Sequence, residues 1–322
     1  MDYKVEGVTV SYAGEDVSEK LSPRQKLLHD ILYERKEQEY LQQDAKKAEK
    51  NGYLFRALSP IRQNLLEWIE FPEGADILEL GGGTGILTEM LCRRCARVTS
   101  VVTNVGDAYI NAVRNRGKSH LRILVPGGDV TLDGIGSKAY DAVILVGAEH
   151  KLFEALFGSG AAADAAGEFS KLLALANTRL KEGGRLILAV NNRLGLQYWA
   201  GKTDACSPGI GDCLMGAASC REYCFSRNRL SAILRENGFS RAAYYYPIPD
   251  YLYADQIFSG DYLPGVGDIR PASSHYDSER YQFFDEKKVF DTLCEDGCFE
   301  MFANSFLILS EPDRKLQLTE EQ

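Results

Sequence analysis

An acidic residue and three glycines stand close together where a short apolar run ends: Glu79, Gly81, Gly83 and Gly85. Because glycine carries no β-carbon, a ligand is able to lie directly against the backbone there. The next segment, residues 86–94, has helical spacing, and the N-terminus of a helix offers unpaired N–H groups and a partial positive charge. Strand, glycine turn and helix together predict a nucleotide-binding crossover.

The spacing of the glycines narrows the kind of nucleotide site. Gly81-x-Gly83-x-Gly85 differs from the dinucleotide fingerprint G-x-G-x-x-G, and no Lys-Ser or Lys-Thr pair follows as in the phosphate loop of NTPases. A dinucleotide-dependent oxidoreductase is disfavoured further, because no acid follows the second predicted strand. A glycine turn in some other α/β protein stays open as an alternative.

The string ILELGGGTG, residues 77–85, is similar to the first motif of the class I S-adenosylmethionine-dependent methyltransferases. The resemblance implies that Glu79 lies near the methionine end of the cofactor and that Gly81, Gly83 and Gly85 pack under it. S-adenosylmethionine is therefore the expected cofactor.

The second predicted strand, residues 97–102, ends in a departure from that family. An acid is expected near this point to accept hydrogen bonds from the ribose hydroxyls. Val102 stands there instead, and its side chain accepts no hydrogen bond. We therefore expect Thr103 or Asn104 to substitute, or the cofactor affinity to be reduced or lost, since a charge-assisted contact contributes roughly 1.5–3 kcal/mol.

Further candidate residues follow the third and fourth predicted strands, residues 121–125 and 140–147. The resemblance implies that Asp129 faces the adenine amino group, with a plain turn residue as the alternative. Ligands of open α/β sheets lie beyond the carboxyl ends of strands, which places Glu149 at the cofactor. His150 is a candidate general base there, with a structural histidine as the alternative.

Strand and helix patterns alternate from residue 76 to residue 190, which predicts an α/β fold with a doubly wound, mostly parallel, Rossmann-like sheet. We expect an N-terminal helical segment or lid over residues 1–70, including one long polar helix from Ser22 to about Lys50. The cofactor-binding core is predicted over residues 71–190. Residues 191–322 are expected to form a substrate-side elaboration that completes the sheet.

Composition excludes some classes of partner. The net charge of −9 argues against nucleic acid as a bulk partner, because phosphate binding needs a basic face. No apolar run is long enough for a membrane helix and the N-terminus is polar, so we expect a cytoplasmic protein without a membrane partner. The eight cysteines, including Cys92 and Cys95, match no familiar ligand set and predict ordinary thiols without a metal site.

Motifs in the second half extend the resemblance over about residues 53–265: NNRLGLQYWAG, FSRNRL and YYYPIPDY. They resemble a bacterial subgroup of class I methyltransferases associated with glycosyltransferases and cell-surface glycans. This implies a hydroxylated small molecule or a glycan as the methyl acceptor, with Asp250 as a second candidate base. The chain departs from the subgroup at Val102, at Asn191 and at residues 203–206. A methyltransferase-like protein without catalysis, acting as a binding or scaffold partner, is therefore the alternative.

Overall fold

The structure, a computed structural model, describes residues 2–13, 21–43, 52–127, 135–162, 164–203, 209–216, 222–270 and 281–313. Asp129 lies outside these ranges, so its expected contact with adenine falls on a residue that the structure does not describe. In the described ranges no helix is long and apolar enough to cross a membrane. The same residues contain no group of three or more His, Cys, Asp or Glu side chains that is placed to hold a metal ion.

One sheet runs through the described part of the chain. Its strands are β1 (Asp2–Val5), β2 (Val8–Ser11), β3 (Asp76–Leu80), β4 (Arg97–Val101), β5 (Leu121–Leu124), β6 (Tyr140–Val146), β7 (Leu180–Asn192), β8 (Cys224–Phe225), β9 (Ala242–Ile248), β10 (Gln256–Ser259) and β11 (Ser305–Ser310). Their spatial order is β1-β2-β5-β4-β3-β6-β7-β11-β9-β10, and β8 pairs with β7. Strands from all three predicted segments of the chain thus join one sheet.

The central strands are parallel, and the antiparallel pairs lie toward the two edges. β5, β4, β3, β6 and β7 pair in parallel, whereas β11 is antiparallel to both β7 and β9. The strand order reverses at β3, which pairs with β4 on one side and β6 on the other. The predicted α/β fold with a mostly parallel sheet is confirmed, and β3 is the switch point where ligands of such sheets bind.

Helices cover both faces of the sheet. They are α1 (Pro23–Glu34), α2 (Glu37–Gln43), α3 (Gly52–Leu58), a 3-10 helix (Pro60–Gln63), α4 (Asn64–Glu67), α5 (Ile86–Arg94), α6 (Val105–Arg114), α7 (His150–Phe157), α8 (Ala165–Arg179), α9 (Leu196–Trp199), α10 (Asp212–Met215), α11 (Arg227–Glu236), α12 (Glu286–Glu295) and α13 (Phe299–Phe302). Adjacent strand residues face opposite cores: Ile77 packs in one apolar cluster and Leu78 in the other.

The N-terminal helices differ from the single long helix that the polar composition predicted. Ser22 and Gln25 form a capping box that starts α1. The helix ends at Arg35, whose φ of 58° is left-handed, and α2 begins two residues later. Leu28 and Ile110 belong to one small apolar cluster, which attaches α1 to α6.

The amino end of β3 is fixed by an ion pair far from the glycine turn. The Asp76 carboxylate accepts hydrogen bonds from Arg97 Nε at 2.6 Å and Nη2 at 2.7 Å, and Lys181 Nζ lies 3.3 Å away. The Arg97 hydrogen bonds hold the pKa of Asp76 below its ordinary value of 3.8. A lowered carboxyl pKa stabilises the fold above pH 3.8, and that contribution is lost as the pH falls through the folded-state value.

We therefore expect Asp76→Asn to lower the free energy of unfolding by about 1 kcal/mol at neutral pH, a modest value because Arg97 is largely exposed and solvent screens the pair. Well below pH 3.8 the variant and the wild type should be equally stable. Urea unfolding at both pH values measures this difference. A difference that stays the same in acid would show that the charge of Asp76 is not responsible.

Candidate functional site

A cavity of about 530 Å³ opens at the carboxyl ends of β3 and β6. This volume is within the range of sites that bind small molecules. Its floor is the glycine turn, residues 81–84, and its walls come from the N-terminal helices and from loops after β6 and β9. The cavity therefore lies at the switch point of the sheet.

The glycine turn presents backbone to this cavity. Gly81 and Gly83 line the cavity and have positive φ values of 90° and 50°. The N–H groups of Gly81 and Gly82 both donate to the carbonyl of Val101, which ties the turn to the end of β4. Gly85 lies outside the lining: it is the N-cap of α5, and a β-carbon there would lie 2.5 Å from Asn111 Oδ1.

Glu79 lies under the turn and also contributes to the cavity wall. Its side chain is buried, and Oε2 accepts hydrogen bonds from Thr88 Oγ1 at 2.6 Å and Ser100 Oγ at 2.7 Å. Burial raises the pKa of Glu79, and the two hydroxyl donors partly offset this effect. The acid thus joins β3, β4 and α5 beneath the glycine turn.

Val102 points away from the cavity. Its side chain is fully buried in the apolar cluster on one face of the sheet, and its N–H donates to the Leu124 carbonyl. The valine at position 102 therefore does not fill the cavity. Thr103 and Asn104, which were expected to bind the ribose in place of an acid, do not line the cavity.

Asp107, in the first turn of α6, does line the cavity. Asn104 caps this helix by accepting from Asp107 N, and its Nδ2 donates to Asp107 Oδ2 at 2.7 Å. Gln25 Nε2 of α1 donates to Asp107 Oδ1 at 3.0 Å. Two amides thus hold an acceptor-only carboxylate at the cavity, on the side where β4 ends.

The N-terminal helices cover the cavity. Tyr53 and Arg56 of α3, Arg62 of the 3-10 helix and Arg24 of α1 are all part of its lining. Tyr53 Oη is buried and has no hydrogen-bond partner among the described residues. Burial raises the pKa of Tyr53 to about 12, so the phenol stays protonated and is able to donate to a ligand.

Two acidic residues that are distant in the sequence, Glu149 and Glu222, line the cavity together. Glu149 follows β6, Glu222 precedes β8, and the two residues form an isolated antiparallel bridge. Glu222 Oε2 accepts from Tyr251 Oη at 2.5 Å and from Asn191 Nδ2 at 3.0 Å. Glu149, Glu222 and Tyr251 all line the cavity, so acid–base groups face its interior.

The charge of Glu222 is balanced only in part. Arg56 Nη2 lies 3.7 Å from Glu222 Oε1, and the Glu222 side chain is 13% exposed. Burial raises the pKa of Glu222, Glu149 raises it further, and Arg56 and the Tyr251 hydroxyl oppose the increase. A carboxylate with a raised pKa is suited to accept a proton near neutral pH.

The two residues predicted as bases are placed elsewhere. His150 does not line the cavity: Nδ1 lies 2.5 Å from Glu168 Oε2, and the ring contacts the tilted ring of Tyr223 at a centroid distance of 4.5 Å. Asp250 is buried and its Oδ1 accepts from the N–H groups of Leu252 and Tyr253. Asp250 thus shapes the turn that presents Tyr251 to the cavity.

Comparison with known proteins gives the fold. No protein-family model matches the sequence, and no curated protein matches it. The structure is similar to a chain from the complex between a Haloferax volcanii methyltransferase activator and a protein described as a methyltransferase. The two chains are 14% identical, the match covers 84% of this chain and 96% of that chain, and the TM-score is 0.50. A SAM-dependent methyltransferase from Archaeoglobus fulgidus has 13% identity over 78% of this chain and 92% of its own, with a TM-score of 0.45.

Proposed function

We propose that the chain is an S-adenosylmethionine-dependent methyltransferase that acts on a hydroxyl group of a small molecule or a glycan. The observation that carries this proposal is the open cavity at the switch point, which is lined by a glycine turn, by the buried acid Glu79 and by two further acids, Glu149 and Glu222. The Rossmann-like fold, which solved methyltransferases share, agrees with it.

The residues at the glycine end fit the cofactor's chemistry. Gly81 and Gly83 leave bare backbone for a nucleoside, and a β-carbon built on Gly83 would meet no atom within 4 Å, so this backbone faces open space. The Tyr53 hydroxyl has no hydrogen-bond partner among the residues that the structure describes, so it is available as a donor, and Asp107 is an acceptor for ribose hydroxyls. Bound S-adenosylmethionine supplies a methyl group on a positively charged sulfur, open to in-line attack by an acceptor oxygen.

The carboxylate end supplies the acid–base chemistry that an alcohol acceptor needs. As the acceptor oxygen bonds to the methyl carbon, the carbon–sulfur bond breaks and the hydroxyl proton passes to a carboxylate. Glu222 is the base in this proposal, since it faces the cavity and burial raises its pKa. The Tyr251 hydroxyl and the Asn191 amide orient its carboxylate.

Asp107 takes the ribose role in this proposal, in place of an acid at Val102. Asp107→Asn should weaken binding of both S-adenosylhomocysteine and methylthioadenosine roughly tenfold, because both carry the ribose and a charged acceptor contributes about 1.5 kcal/mol or more. Isothermal titration calorimetry measures both affinities.

Asp164→Asn is the control, since Asp164 is likewise an acid at the start of a helix, as the N-cap of α8, but does not line the cavity. Equal affinities for Asp107→Asn and the wild type would remove Asp107 from the cofactor site.

The alternative is a methyltransferase-like protein without catalysis, and Val102 is the residue that favours it. A methyl-transfer assay separates the two functions: labelled S-adenosylmethionine is incubated with a panel of hydroxylated metabolites and glycans, and label is followed in the products. Transfer that depends on Glu222 supports the enzyme. Tight cofactor binding without transfer to any acceptor would favour the scaffold.

A further inference from the structure

Arg62 is a cavity residue whose guanidinium has no carboxylate partner in the described part of the chain. It lies in the 3-10 helix that covers the glycine turn and is partly buried. Its guanidinium donates through Nη1 to the Arg56 carbonyl at a long distance of 3.5 Å. Among the described residues no carboxylate lies within ion-pair distance of Arg62, whereas Arg56 faces Glu222 and Arg114 faces Glu89.

The acids near Arg62 are already engaged. Glu79 accepts from two buried hydroxyl groups, and Glu222 accepts from Tyr251 and Asn191 and faces Arg56. Burial lowers the pKa of Arg62, and the neighbouring Arg56 lowers it further. An unpaired guanidinium in such a place is costly, and an anion that enters the cavity would relieve that cost.

The backbone on the C-terminal side of Arg62 is held firmly. Gln63 Nε2 donates to the Ile86 carbonyl at the start of α5, and Arg93 Nη2 donates to Gln63 Oε1. Asn64 Nδ2 donates to the carbonyl of Ala254. The 3-10 helix is thus tied to both α5 and the loop after β9, so the backbone that carries Arg62 is positioned before a ligand arrives.

We propose that Arg62 is the anion-binding residue of this cavity and takes a carboxylate or phosphate group of a bound ligand. The inference rests on the proposed function for the identity of that ligand. Two sources share this chemistry: the amino-acid carboxylate of S-adenosylmethionine, and an acidic group on the methyl acceptor. A planar guanidinium binds either group through two parallel hydrogen bonds.

The test compares Arg62→Gln, Arg62→Lys and the wild type by calorimetry. S-adenosylhomocysteine carries the amino-acid carboxylate and methylthioadenosine lacks it, so the pair isolates that group. If the cofactor is the source, Arg62→Gln should weaken S-adenosylhomocysteine binding roughly 10- to 100-fold and leave methylthioadenosine binding unchanged. Arg62→Lys should recover part of the loss. Arg229→Gln, which removes the same charge at an exposed position outside the cavity, is the control.

If the acceptor is the source, inorganic phosphate should bind to wild-type protein saturated with S-adenosylhomocysteine and should not bind to Arg62→Gln. Titration of the cofactor-free wild type with phosphate separates this inference from the proposed function, because an anion site persists even if S-adenosylhomocysteine does not bind. Arg62→Gln that is folded by circular dichroism and binds both S-adenosylhomocysteine and phosphate like the wild type would overturn the inference.

Discussion

Gly82→Ala should lower the free energy of unfolding by about 1–3 kcal/mol, as expected for overpacking of a buried site. It should also weaken S-adenosylhomocysteine binding by more than about tenfold. A β-carbon on Gly82 would lie 2.0 Å from Ser100 Oγ and 2.6 Å from Glu79 Oε2. Those two atoms are buried and hydrogen-bonded to each other at 2.7 Å, so the new methyl group would displace both. Urea unfolding and calorimetry measure the two effects.

Gly74→Ala is the matched control for Gly82→Ala. Gly74 has a positive φ of 75° just before β3, and a β-carbon there would meet no atom within 4 Å. Its substitution costs only the left-handed backbone conformation, about 1 kcal/mol, and should leave ligand binding unchanged. If Gly82→Ala bound the ligand as tightly as Gly74→Ala does, the Glu79–Ser100 contact under the turn would have no part in the site.

Glu222→Gln should lower the rate of methyl transfer by about 10²–10⁴-fold for any acceptor that the wild type methylates, as expected when a general base is lost. Glutamine keeps the shape of the side chain, so cofactor affinity should stay nearly unchanged. The wild-type rate should also fall as the pH drops below the raised pKa of Glu222, because the protonated carboxyl cannot accept a proton. The variant should lack that acid limb.

Glu168→Gln tests whether the general base is Glu222 or His150, which the sequence predicts as a base. Glu168 is the acid that pairs with His150, and Tyr223 Oη also donates to it at 2.8 Å. Since this cluster does not line the cavity, Glu168→Gln should retain the wild-type rate. A large loss of rate in Glu168→Gln with little loss in Glu222→Gln would reverse the assignment and return the role to His150.

Some residues of this site could be predicted from the sequence because they are contiguous in the chain. The glycine turn and Glu79 lie within a single strand–turn–helix unit, so local pattern was enough to place them. Glu149 was visible for the same reason, as it directly follows β6. His150 failed to reach the cavity although it is the next residue: Glu149 has an extended backbone, with φ −108° and ψ 151°, and successive side chains of extended backbone point in opposite directions.

Other site residues have no local signature. Glu222 and Tyr251 come from loops far apart in the chain, and only the fold brings their side chains to 2.5 Å. Asp107 lines the cavity from the first turn of α6, which Asn104 caps. This helix start could have been suspected from an asparagine three residues before an acid. The predicted long helix was wrong at Arg35, since neither glycine nor asparagine marks the left-handed residue there.

Val102 stands where an acid that binds the ribose was expected, and the position of its side chain shows what this substitution changes. A valine that filled the space of the ribose would have closed the site. Instead its side chain is fully buried in the core, and the space above the glycine turn is open. What the substitution removes is one hydrogen-bond acceptor, and Asp107 offers another on the same side of the cavity.

The most direct measurement is calorimetric titration of the wild-type protein with S-adenosylhomocysteine. We expect saturable one-to-one binding with a dissociation constant in the micromolar range or tighter, about −8 kcal/mol. Gly82→Ala should weaken this binding by more than about tenfold. The absence of heat from folded wild-type protein at high micromolar ligand, at more than one temperature, would contradict the proposed cofactor site.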